Sequence, residues 1–175
     1  MNNILILYST TDGHTIKISQ RIQLVLEKVG HEVKVLPIAS ADVNELHASD
    51  KIIIGASIRY GKHQKEVVDF VSEYKSLLEE KPSVFFSVSV VARKPNRNTP
   101  ETNPYVKKFL SGISWKPDAI GIFAGKIDYP KYGVLDRTII RLIMYMTKGP
   151  TDPNAVVEFT DWDKVESFGQ MVGEM

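Results

Sequence analysis

Cysteine is absent from all 175 residues. Disulfides, thiolate metal sites and cysteine nucleophiles are thereby excluded, and a reducing compartment is the simplest setting. No uninterrupted apolar run approaches the roughly 20 residues that a membrane-spanning helix needs, so membrane contact is expected to be peripheral. The first strand-like run starts at Asn3 without a basic leader and does not read as a signal peptide. His14, His31, His47 and His63 have no ligand-like spacing, so no metal site is expected. Neither a G-x-G-x-x-G fingerprint nor a Gly-Lys-Ser/Thr loop occurs. Ser57 sits in Gly-x-Ser-x-Arg, which lacks the second glycine of a nucleophile elbow, and no Asp/His pair accompanies it. An excess of one charge is missing too. The 22 Lys and Arg against 21 Asp and Glu leave +1, and no nucleic-acid partner is expected.

The charge that is present is unevenly spread. Between Val91 and Leu110, Arg93, Lys94, Arg97, Lys107 and Lys108 stand against Glu101 alone. Between Lys126 and Lys148, Lys126, Lys131, Arg137, Arg141 and Lys148 stand against Asp128 and Asp136. Such regions suit an acidic or membrane-surface partner.

The chain is organised around the turn Ser9-Thr10-Thr11-Asp12-Gly13-His14-Thr15, which joins the apolar run Ile4–Tyr8 to an amphipathic stretch from Ile16. A strand opening through a hydroxyl-rich turn into a helix leaves the first helical N–H groups unpaired, backed by the positive end of the helix dipole. Ser9, Thr10, Thr11 and Thr15 can donate to phosphate oxygens, and Gly13 can take positive φ. The same residue types also suit a simple helix cap.

Beyond the turn, Ile18, Ile22, Val25, Leu26 and Val29 predict a helix closed by Gly30. His31–Leu36 reads as a strand stopped by Pro37, and residues 39–50 as at most two helical turns. Lys51–Ala56 and Val84–Val90 are short apolar runs of the kind buried on both faces of a parallel sheet. Between them, Val67 to Leu78 predicts one helix. Asn103 and Pro104 open another, and Ala119–Gly125 is the next strand. About thirty residues, 126–154, then precede the strand-like Val156–Thr160 and a final helix capped near Asp161. Alternating strands and helices predict a single α/β domain over 1–175: a five-stranded parallel sheet in doubly wound order 2-1-3-4-5, with helices on both faces and an insertion at 126–154 interrupting strand five. Ligands bind such sheets beyond the carboxyl ends of the strands. Those ends carry residues 9–15, 57–61, 90–103 and 125 onwards.

The hydroxyl turn, the loops after strands three and four and the late insertion together resemble the flavodoxin family. Asp12 stands where that family usually has threonine. Gly55–Gly61, Val91–Pro95 with Thr99-Pro100 and Thr102-Asn103, Leu142–Met144 and Thr160–Trp162 resemble more narrowly the bacterial quinone-dependent protoporphyrinogen IX dehydrogenases of haem biosynthesis. This resemblance implies FMN as cofactor, protoporphyrinogen IX as substrate, menaquinone or ubiquinone as acceptor, and a peripheral address on the cytoplasmic side of the inner membrane. It implies cofactor contacts from Ser9, Thr10, Thr11, Asp12, Gly13, His14 and Thr15, from Ser57, Ile58, Arg59, Tyr60 and Gly61, and from Ser87, Val88, Ser89, Val90 and Val91. Because a flavin carries the redox chemistry, no catalytic side chain is expected. Arg59, Arg93, Lys94, Arg97, Arg137 and Arg141 are candidates for the substrate's propionates.

If Val134–Lys148 is helical, Leu135, Ile139, Leu142, Ile143 and Met146 share one side, opposite Arg137, Arg141, Tyr145 and Lys148. Such a helix suits a lipid surface or the substrate, or else packs its apolar side on the domain. Three other readings stay open from the residues: a flavodoxin-like electron carrier, an NAD(P)H:quinone reductase, and a domain that keeps the fold without the flavin.

Overall fold

The structure is a computed structural model that describes residues 1–175. In chain order the elements are β1 (Asn3–Ser9), α1 (His14–Lys28), β2 (Glu32–Pro37), α2 (Val43–Ala48), β3 (Lys51–Arg59), β4 (Lys62–His63), α3 (Lys65–Glu73), α4 (Lys75–Glu79), β5 (Ser83–Ser89), α5 (Pro104–Gly112), β6 (Ala119–Ala124), β7 (Lys126–Asp128), α6 (Val134–Met146), β8 (Val156–Glu158) and α7 (Trp162–Glu174). The principal sheet runs β2-β1-β3-β5-β6, all parallel. That is the expected doubly wound order of the five principal strands.

Strand periodicity decides which side chains go to which face. On β1, Leu5 and Leu7 join Ile52, Ile54 and Phe85 under α3, α4 and α5, where Val67, Val71, Leu78 and Phe109 pack. Ile4 and Ile6 join Ile53, Val84 and Phe86 on the other face, under α1 and α7, against Ile18, Ile22, Val165 and Phe168. Each such side chain, fully buried, contributes about 1.5–3 kcal/mol, so the two clusters dominate the stability of the scaffold. Two predicted caps form: Asn103 Oδ1 accepts from Tyr105 N (3.1 Å) and Val106 N (3.2 Å), and Asp161 Oδ1 accepts from Lys164 N (3.1 Å).

Three local features differ from the sequence reading. The strand from Lys51 extends to Arg59 and turns back through Tyr60 (φ 50°) and Gly61 (φ 79°) into β4. Positive φ at both central residues is the signature of a type I′ hairpin. The helix expected over 67–78 breaks at Tyr74 (φ −99°, ψ 18°) into α3 and α4. The run after the insertion becomes β8, antiparallel to β7 with Ile127 opposite Val157, in a separate two-stranded sheet. The insertion thus leaves and returns at the carboxyl end of β6, where Phe159 N donates to Gly125 O (3.0 Å) and Thr160 Oγ1 to Ala124 O (2.8 Å).

Gly55 on β3 lies directly opposite Phe86 on β5, and a Cβ there would overlap the Phe86 ring. Overpacking of this kind costs about 1–3 kcal/mol. Gly55→Ala is therefore expected to lower unfolding stability by that amount in urea titration, and Gly55→Ala with Phe86→Leu to recover part of it.

Candidate functional site

A cavity opens beyond the carboxyl ends of β1, β3, β5 and β6, and α6 lies across it. Its volume is about 140 Å³, below the roughly 300–1,000 Å³ of ordinary ligand pockets. The turn after β1 forms one end. Gly13, at φ 84°, precedes α1 and supplies no side-chain cap, so the first amides of α1 keep their donors free of side-chain partners. Thr10 Oγ1 accepts from Gly13 N (3.0 Å) and shapes the turn.

The cavity is lined by polar atoms that have no partner within the protein. Buried Thr15 Oγ1, Ser57 Oγ, Ser89 Oγ and His14 Nδ1 all lack hydrogen-bond partners, and all four residues line it. Such groups cost about 1–3 kcal/mol each when left unpaired, so their convergence marks a place for a polar ligand. The role of His14 follows from its neighbours. Thr160 Oγ1 gives its one proton to Ala124 O and lies 2.6 Å from His14 Nε2, so Nε2 carries the ring proton and Nδ1 is left as an acceptor. Burial holds the His14 pKa below its usual value; Glu158 opposes this, while Lys17 and Lys126 reinforce it. The imidazole is therefore neutral at neutral pH.

Arg59 forms the opposite wall. Its guanidinium pairs with Asp12 (Nη1 to Oδ2, 2.9 Å) and with Asp136 on α6 (Nη2 to Oδ2, 3.1 Å). It also lies 5.6 Å from the Tyr60 ring centroid and 5.4 Å from that of Tyr132. The Tyr60 hydroxyl donates to Asp136 Oδ1. Asp12 thus faces a cation rather than capping the helix.

Most cofactor candidates from the sequence meet at this cavity: Thr10, Thr11, Asp12, His14, Thr15, Ser57, Ile58, Arg59, Tyr60, Gly61, Val88, Ser89, Val90 and Val91 line it. Gly13 does not line it, and its N–H is taken by Thr10 Oγ1. Ser9 and Ser87 do not reach the cavity. Ser9 Oγ donates to Glu66 Oε1 (2.6 Å) at the start of α3, and Ser87 Oγ is 2.9 Å from His63 Nε2. His63 packs between Phe85 and Phe109, and burial pushes its pKa down to about 4.

Of the propionate candidates, only Arg59 lines the cavity. Arg93 donates to Val90 O (3.0 Å) and Thr147 O (2.9 Å); Arg137 donates to Tyr129 O and Tyr132 O (both 3.2 Å); Arg141 Nε donates to Thr151 O (2.7 Å). These three arginines brace the insertion, because its irregular backbone leaves carbonyls that only side-chain donors reach. Lys94 and Arg97 stand on the loop outside the cavity.

The inward face of α6 is also rotated from the one expected. Ile140, Ile143, Met144 and Thr147 line the cavity, and Met144 packs with Ile127, Tyr129 and Tyr132 in a small core belonging to the insertion. Leu135, Leu142, Tyr145 and Met146 face outwards. Tyr105, Lys126 and Tyr132 were missed as lining residues. For Lys126, its place two residues past the β6 end is the available signal.

The doubly wound sheet, the open helix N-terminus and the partnerless polar cavity at the switch point define a flavodoxin-like protein. Residues 5–154 match the family described as Flavodoxin domain, and the chain belongs to that family. It also belongs, more narrowly, with the curated proteins called protoporphyrinogen IX dehydrogenase [quinone]. It is 39% identical to the one from Escherichia coli (strain K12), over 98% of this chain and 94% of that protein. To the one from Leishmania major it is 41% identical, over 94% of this chain and 71% of that protein. Among solved structures, two-electron reduced Megasphaera elsdenii flavodoxin aligns with TM-score 0.59 at 13% identity, covering 98% of this chain and 99% of that one. A flavodoxin from the domain Archaea aligns with TM-score 0.55 at 16% identity, over 98% and 96%. A flavin is the cofactor to which this family and fold point.

Asp136→Ala removes both contacts that tie α6 to the β3 hairpin, an ion pair and a hydrogen bond worth on the order of 1 kcal/mol each. Amide exchange across residues 134–140 is expected to rise about tenfold, while that of β1, β3 and β5 stays unchanged, as read by mass spectrometry.

Proposed function

We propose that the protein oxidises protoporphyrinogen IX to protoporphyrin IX with a quinone as electron acceptor, using FMN. The observation that carries this reading is the identity of about 40% to dehydrogenases of that name, extending over nearly the whole chain, insertion included. FMN, rather than a dinucleotide, suits a cavity that ends on a single helix N-terminus and a chain without a dinucleotide fingerprint. When bound, the flavin supplies two-electron chemistry between the porphyrinogen and the quinone.

The chain's own groups would do the rest. The amides at the start of α1, with Thr10, Thr11 and Thr15, would hold the phosphate. Ser57, Ser89 and His14 Nδ1 face the cavity as partners for the remaining polar atoms. Arg59, shared by Asp12 and Asp136, would hold the wall of the cavity in place and offset the Asp12 carboxylate near the phosphate. Ile140, Ile143 and Met144 exclude water from above.

The same reading includes peripheral attachment to the cytoplasmic face of a bacterial inner membrane. No helix is long and apolar enough to cross a membrane. The outward side of α6 nevertheless exposes Leu135 (72%), Tyr145 (77%) and Met146 (66%) to solvent, beside Lys131, Arg141 and Lys148. Apolar side chains flanked by cations suit an anionic lipid surface, where a lipid-soluble quinone also resides.

The decisive measurement is anaerobic. Protoporphyrinogen added to the FMN-loaded protein should bleach the flavin absorbance, and a quinone should restore it, with NADPH inert. An unbleached flavin, or a reduced flavin inert to quinone, would sink the assignment; reduction by NADPH would favour a quinone reductase. Attachment is tested apart from activity: Leu142→Asp with Met146→Asp should abolish co-sedimentation with vesicles containing anionic lipid. Undiminished binding would remove α6 as the contact.

A further inference from the structure

A second and larger cavity, about 600 Å³, lies on the far side of the β3–β4 hairpin, between that hairpin, α3 and α5. Arg59, Tyr60, Gly61 and Tyr105 line both cavities, so the two share one wall. At Gly61 the wall carries no side chain and is backed by the Tyr105 ring, 3.4 Å from where a Cβ would lie. Val68, Phe109 and Ile113 give the groove an apolar floor, and Lys62, Lys65 and Lys108 stand at its rim. Lys65 is held by Asp69 at 2.6 Å, whereas Lys62 and Lys108 form no ion pair with any carboxylate.

We propose that this groove is the porphyrinogen site, with Lys62 and Lys108 receiving the two propionates and the macrocycle lying on the apolar floor against the shared Tyr60–Gly61 wall. The inference rests on the function proposed above and adds the location of its substrate. Charge complementarity selects the occupant. A dicarboxylate with a large apolar body needs cations beside apolar surface, and a neutral quinone has no use for them. Of the other candidate cations, Arg93, Arg137 and Arg141 hold backbone carbonyls, and Lys94 and Arg97 line neither cavity.

The test uses the FMN-loaded protein and two air-stable probes, protoporphyrin IX and its dimethyl ester, titrated by fluorescence. The wild type should bind the diacid about tenfold more tightly than the ester, as expected for two charge pairs at a rim. Lys62→Glu with Lys108→Glu should weaken the diacid at least about tenfold and erase the preference. KM for protoporphyrinogen should rise in parallel, while FMN content and quinone reoxidation of dithionite-reduced flavin stay as in the wild type. If the double variant binds the diacid like the wild type, or the wild type does not distinguish diacid from ester, the groove is not the site. If wild-type flavin is also not bleached by protoporphyrinogen, the functional reading fails with it; bleaching with unaltered binding in the variant overturns the groove alone.

Discussion

One arginine between two carboxylates sets the geometry of the functional edge. Asp12 sits in a turn whose other groups are hydroxyls and amides suited to an anion, where an unscreened carboxylate would oppose one. At an effective dielectric near 20, two like charges about 4 Å apart repel by about 4 kcal/mol. That repulsion would exceed the roughly 0.3–2 kcal/mol that the helix N-terminus offers. Arg59, 2.9 Å from Asp12, supplies the compensating charge. Its second arm reaches Asp136, so the same side chain that neutralises the turn also sets where α6 lies. Tyr60 and Tyr132 flank the guanidinium and shield it partly from water, which strengthens both pairs relative to fully exposed ones.

The insertion is fixed at both ends by arginines of the sheet edge. Asp136 in its first turn meets Arg59, and the carbonyl of Thr147 just past its last turn accepts from Arg93. An acidic group at the start and a cation at the end both oppose the helix dipole favourably. Tyr129, Tyr132 and Met144 add a core that the insertion keeps for itself. The helix can therefore bury one face over the cavity and still leave Leu135, Leu142, Tyr145 and Met146 to solvent.

This arrangement explains what the sequence disclosed and what it hid. Strand order, the Asn103 and Asp161 caps and the turn at Gly13 were legible because each depends on neighbouring residues and periodicity. The cavity was legible because strand ends in a doubly wound sheet must converge. The rotation of α6 was not, because its sequence is apolar on more than one side and tertiary contacts choose the buried face. Nor did a count of cations reveal which were free. Arg93, Arg137 and Arg141 answer carbonyls in irregular backbone, a demand that exists only once the insertion has folded. The hydroxyls of Ser9 and Ser87 turn away from the cavity for a related reason: strand alternation brings them to nearby partners, Glu66 and His63.

The covered cavity also separates this protein from a carrier built on the same sheet. A carrier must present its redox centre to a protein partner, and such docking needs an open edge. Here Ile140, Ile143 and Met144 stand above the cavity, and Arg59 with Asp136 holds them there. A partner protein seated on α6 would meet the helix rather than the centre. The wall that stays thin is the hairpin turn, where Tyr60 adopts a positive φ that bulky residues rarely accept and Gly61 contributes no side chain. Strain accepted at that point narrows the separation between the two cavities to a single turn of backbone. The groove thereby meets the wall of the cofactor cavity without opening the insertion.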